Sequence, residues 1–88
     1  MIGACRIADA EGHAVSVAGE VIVCIVSRAF APGAPFRGVV KLGDDEIAID
    51  ARTTGCKRTP EGTFEVRGRL ISLRKADRER LEAASRGA

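Results

Sequence analysis

Aromatic residues are nearly missing from this chain: it has no tryptophan and no tyrosine, and Phe30, Phe36 and Phe64 are its only rings. A platform on which exposed bases stack needs aromatic faces or arginine planes, so a single-strand nucleic-acid binder would have to take phenylalanines out of the core. Excess charge is missing too. Fourteen Lys and Arg stand against twelve Asp and Glu, a formal charge of +2 over 88 residues, which is too little to hold nucleic acid by phosphate neutralisation alone. Any basic surface must come from local clustering. The longest apolar run, Val21 to Val26, falls far short of the roughly 20 residues that span a bilayer. The opening "MIGACRIADAEGHA" has no basic stretch followed by an apolar one, as a secretion signal would, so a cytoplasmic protein is expected.

Chemistry-bearing constellations are equally scarce. Cys5, Cys24 and Cys56 are odd in number and contain no C-x-x-C pair, which excludes the usual zinc and dithiol spacings and suggests reduced thiols. Cys24 inside "VIVCIV" reads as a small core hydrophobe. Cys56 in "TTGCKR" reads as a loop thiol beside Lys57 and Arg58, whose charge favours thiolate. His13 is the only histidine, and it reads as a turn residue with no nucleophile beside it. Asp44, Asp45 and Glu46 lack the ligand spacing of a calcium loop, and "APGAP" lacks the Lys-Ser of a phosphate cradle. A protein without catalytic, metal or cofactor site is therefore expected.

At this length the chain makes one domain. Strand signals recur at short intervals between Gly, Pro and Asp, the pattern of an all-β barrel or sandwich. About six strands are expected: Ile2 to Ala8 and His13 to Val17 around the turn "DAEG", in which Gly12 takes a positive φ; Glu20 to Arg28, covered on both faces; Phe36 to Leu42 and Glu46 to Ala51 around Gly43–Asp45; and Thr63 to Leu73, bent at Gly68. The prolines of "APGAP" cannot continue a ladder, and Arg52 to Gly62 reads as a polar loop. In the last strand Phe64, Val66 and Leu70 face inward, and Glu65, Arg67, Arg69 and Ile71 outward. "RKADRERLEAAS" follows as a helix with a thin apolar stripe, Leu73, Ala76, Leu81 and Ala84, which needs docking against the barrel to be stable. Arg78 and Glu82, at i,i+4, read as part of its solvated face. The fold expected is mainly β, a small six-stranded antiparallel barrel (1–73) with one C-terminal helix (74–86).

On these residues the chain from Cys5 to Leu81 resembles a PilZ domain, a six-stranded bacterial barrel with a trailing helix. "AGEVIVCIV", "PFRGVVKLGDDEIAI" and "RLISLRKADRERLE" are similar to the family's central strand, its following hairpin and its exit into the helix. Many PilZ domains bind cyclic di-GMP through an Arg-x-x-x-Arg motif ahead of the barrel and an Asp-x-Ser-x-x-Gly motif on the early strands. Here the only early arginine is Arg6; Asp9 and Gly12 are similar to the second motif, without its serine and with the glycine two residues early. Arg74 and Arg78 have the first spacing, but on the helix. Arg6, Asp9 and Gly12 are thus the ligand-binding candidates, and the resemblance implies a non-catalytic signalling or adaptor module with a protein partner and weak or absent cyclic di-GMP binding. The alternative is an Sm-like RNA-binding barrel: "FRGVVKLGDDEIAI" and "EVRGRLISL" are similar to the two Sm motifs, with Arg67 and Gly68 at the pore-lining Arg-Gly, although Sm folds carry their helix ahead of the barrel.

Arg37 and Lys41 alternate on one strand, as Arg67 and Arg69 do on another. If those strands are neighbours, the four cations converge on one face at cross-strand distances of roughly 5 Å; the simpler account is that they guard strand edges. Ile71 with Val39 seeds an apolar partner surface unless the helix covers it.

Overall fold

Alternating inward side chains, most of them small or β-branched, and a neighbour on each side of every strand produce the main feature of the computed structural model, which describes residues 2–87: a sheet closed on itself. Six antiparallel strands run β1 (Gly3–Ile7), β2 (Ala10–Ala18), β3 (Val21–Val26), β4 (Pro35–Leu42), β5 (Asp45–Arg58) and β6 (Phe64–Leu70), followed by α1 (Lys75–Gly87). Around the barrel the order is β1-β2-β3-β6-β5-β4. Closure rests on a short seam in which Cys5, Arg6 and Ile7 face Val40, Val39 and Gly38. Ile7, Ile22, Cys24, Val26, Phe36, Val40 and Val66 fill the interior. This is the mainly β barrel with a C-terminal helix that the sequence pattern implies.

Each end of the barrel is plugged. At one end the segment after β3 folds inward, so that Phe30 meets Phe36 edge-on, ring centroids 4.9 Å apart, and the Arg28 guanidinium lies 4.2 Å over the Phe30 ring. At the other end α1 packs on β2 with Leu81 fully buried. The Gly19 amide donates to a Glu82 carboxylate oxygen at 2.9 Å, and Arg80 reaches Asp45 at 2.7 Å. Glu82 therefore ties the helix down rather than solvating it. Leu73 and Ala84 are half-buried as expected, but Ala76 is exposed. Among the described residues no helix is long and apolar enough to cross a membrane.

Several local expectations are corrected. The first turn is the tight Ala8–Asp9 connection, with φ 55° at Ala8; Gly12 and His13 both lie within β2. Pairing Ile7 with Ala10 keeps Cys5, Ile7, Ala10 and Ala14 inside, and a one-residue slip would turn this set to solvent. The outer face of β3 is only partly covered, because α1 lies on β2 instead. The segment read as a polar loop, Arg52 to Gly62, is strand as far as Arg58, paired with β6. Its backbone groups gain ladder partners whatever the polarity of the side chains. The bulge expected at Gly68 sits opposite it, between Thr53 and Gly55, where the Thr54 hydroxyl donates to the Arg67 carbonyl at 3.1 Å. Gly68 itself points inward against Ala51 and Ile22.

Thr53 is the one buried polar side chain in the described core, and its hydroxyl oxygen has no hydrogen-bond partner. An orphaned buried hydroxyl costs about 1–3 kcal/mol, and an apolar isostere removes that cost. Thr53→Val is expected to raise stability by about 1 kcal/mol, read as a higher urea midpoint at unchanged slope; a lower midpoint would mean that the hydroxyl has a partner in solution.

Candidate functional site

The outward residues of β4, β5 and β6 form rows set by the register. One row runs Val21–Arg69–Arg52–Pro35 across β3, β6, β5 and β4. Beside it the Ile71 amide donates to the Asp50 carbonyl at 2.9 Å, and Asp50 faces Arg37. Val21 and Ile71 are exposed by 40% and 55%, large apolar side chains left in water. They flank Arg69, which pairs with Glu20 at 3.3 Å and stands directly opposite Arg52, a like-charge pair of the kind that disfavours a sheet unless something else uses it. The Arg52 guanidinium donates to the Gly33 carbonyl at 3.1 Å, and Arg37 holds Asp50 at 3.0 Å. Glu20, Arg52, Arg69, Leu70 and Ile71 enclose a shallow depression of about 370 Å³.

The expected four-cation face therefore forms only in part. β4 and β6 are not neighbours, because β5 lies between them. Arg37 and Arg69 share the face through Arg52. Lys41 instead lies with Arg6, Glu11 and Glu46 around a groove of about 410 Å³ over β1 and β4, and Arg67 lies beside the β5 bulge. The loop reading of its segment hides Arg52, which lies in β5. The signal for it was present, since the inward row Ile47, Ile49, Ala51 continues in period two to Thr53 and so places Arg52 outward in a strand.

Arg6, Asp9 and Gly12 come together on the first hairpin, but each is already engaged, Arg6 within it and the other two with residues of β3 or beyond. Arg6 donates to Glu11 at 2.8 Å, and Arg28 donates to Asp9 at 2.6 Å. The Arg28 hydrogen bond and charge hold the Asp9 carboxyl below its ordinary range. A depressed carboxylate pKa gives a contribution that is fully present above the ordinary value of about 4 and is lost as pH falls through the lowered one. At Gly12 an added Cβ would overlap the Ile25 carbonyl, so this glycine serves strand packing.

All three cysteines are free thiols. Cys5 and Cys24 are both buried inside the barrel; the neighbouring Cys5 thiol, and then burial, push the Cys24 thiol far up. Cys56 is not the loop thiol expected: it sits in β5 opposite Val66, half-buried against the core. Thiolate reactivity needs both access and ionisation. Ellman's reagent at pH 8 is accordingly expected to titrate one thiol per native chain, lost in Cys56→Ser, and all three in denaturant. Fast reaction of Cys5 or Cys24 in the native chain would contradict the closed barrel.

Comparison with known protein families, with curated proteins and with solved structures gives no match.

Proposed function

We infer that the chain is a non-catalytic binding module of PilZ type, which docks a protein partner on the β4–β5–β6 face and does not depend on cyclic di-GMP. The observation that carries this reading is the placement of two exposed aliphatic side chains beside Arg69 and its neighbour Arg52, Val21 directly across from Arg69 and Ile71 next on the same face after it. An aliphatic pair set among guanidiniums is the composition of an interface core, in which arginine is enriched. The early-strand residues support the second half of the reading. A dinucleotide phosphate would have to displace Glu11 from Arg6, and Asp9 is already committed to Arg28.

The test has two parts. Lysate proteins retained on the immobilised chain are compared with those retained on Arg69→Glu/Ile71→Asp, both shown to be folded by circular dichroism. Proteins lost specifically in the double variant are expected; identical recovery would sink the docking face. Calorimetric titration with cyclic di-GMP is expected to give no heat at millimolar ligand. Micromolar binding that weakens in Arg6→Ala would instead make this a working dinucleotide receptor.

A further inference from the structure

A closed barrel should have no free strand edge, yet this one has a short edge. β4 accompanies β5 only from Asp45 to Arg52. At Thr53 the outer backbone groups are taken by Gly33 and Ala34, whose amide and carbonyl bond the Thr53 carbonyl and amide at 2.7 and 2.9 Å. Past the bulge, from Thr54 to Arg58, β5 has β6 on one side and, among the described residues, no strand on the other.

The ladder fixes which groups are free. The Thr59 amide bonds the Thr63 carbonyl, so in antiparallel alternation Lys57 and Gly55 also bond toward β6, while the N–H and C=O of Cys56 and Arg58 point to the open side. The two faces beside this edge differ. On the outer face Gly55, Lys57, Glu65 and Arg67 surround a notch of about 200 Å³; a Cβ at Gly55 would meet nothing within 4 Å, Lys57 makes only a long contact to Glu65 at 3.8 Å, and Arg67 forms no ion pair among the described residues. On the inner face Cys56 and Phe64 are half-buried and apolar.

We propose that the β5 edge from Thr54 to Arg58 takes an extended acidic segment of a partner protein by strand addition, with carboxylates against Lys57 and Arg67 and aliphatic side chains against Cys56 and Phe64. The charge selects this occupant. A second copy of the chain laid antiparallel with Cys56 against Arg58 would set Lys57 directly opposite Lys57, which is repulsive, whereas an acidic strand gains main-chain hydrogen bonds and charge pairing together. This edge is separate from the Arg52–Arg69 face.

The test is amide NMR of the full chain titrated with a hexapeptide alternating glutamate and valine, beside one alternating lysine and valine. The acidic peptide is expected to shift amides from Thr54 to Arg58, to slow exchange at Cys56 and Arg58, and to bind at least tenfold more weakly in 0.5 M salt. Lys57→Glu/Arg67→Glu is expected to lose at least tenfold in affinity. Arg58→Pro, which removes an edge donor and no β6 bond, should lose binding while keeping the native spectrum elsewhere; should it unfold, the charge variant carries the test. Equal binding of both peptides, absence of shifts at millimolar acidic peptide, or shifts centred on Val21, Arg69 and Ile71 would each overturn the proposal. So would a concentration-dependent dimer shifting the same amides without peptide.

Discussion

Replacing Gly38 by alanine is expected to cost more than about 3 kcal/mol, at the upper end of what overpacking does to a core and a large part of a small domain's stability. Gly38 lies in β4 opposite Ile7, on the three-rung seam that closes the barrel. A Cβ there would overlap the Arg6 carbonyl and press on the Ile7 Cα. These are backbone atoms, so no rotamer change relieves the clash, and opening the seam would expose the row that includes Ile7 and Val40. Gly12 is in the same position against Ile25 and its carbonyl, and Gly12→Ala should behave alike. Two other glycines give the comparison. Gly43 has φ 63° with open space around it, so alanine there costs only the left-handed conformation, about 1–2 kcal/mol. Gly55 has neither restriction, and Gly55→Ala is expected to be neutral. Urea denaturation of the four variants checks the order; Gly38→Ala within 1 kcal/mol of the parent would mean that β1 and β4 are farther apart than described.

Leu81→Ala is expected to lose about 3 kcal/mol, within the usual range for a buried leucine. For a domain of this size that lowers the melting temperature by roughly 4–8 °C per kcal/mol. Among the described residues Leu81 is the only fully buried side chain of α1, and a helix of 13 residues is marginal in water without tertiary packing. The helical signal near 222 nm should therefore fall together with the barrel's melting or ahead of it. Glu82→Ala removes the bond from the Gly19 amide and should cost about 1 kcal/mol, leaving the helix docked. A Leu81→Ala variant that melts with the parent would show that α1 is dispensable to the barrel, and would leave the burial of Leu81 without energetic consequence.

Both effects bear on the candidate surfaces. Barrel closure at Gly38 holds β4 against β1, and so fixes the face on which Arg37, Arg52 and Arg69 lie. α1 occupies the end beside β2 and leaves Ile71 in solvent. Had the helix crossed β6 instead, the apolar half of the proposed docking face would be core. Because the free edge lies on the β5–β6 hairpin, away from α1, undocking the helix should leave acidic-peptide binding intact.

Composition and period two were enough to determine the mainly β class, six antiparallel strands, the inward sets Ile47–Ile49 and Val66–Leu70, and a helix that needs a docking surface, because each depends on side-chain alternation within a few neighbouring residues. Even the misread loop carried its alternation through Ala51 and Thr53. Which strands meet was decided only by the tertiary structure. Placing β5 between β4 and β6 separated Lys41 from Arg67, put Arg52 against Arg69, and left Thr54 to Arg58 with no second strand beside them among the described residues. The need for glycine at positions 12 and 38 likewise arises only when two distant backbones approach within van der Waals contact. The physical reason is common to all of these: strand order and the seam follow from how six faces share one closed interior, a condition on the whole chain that no local window of residues contains.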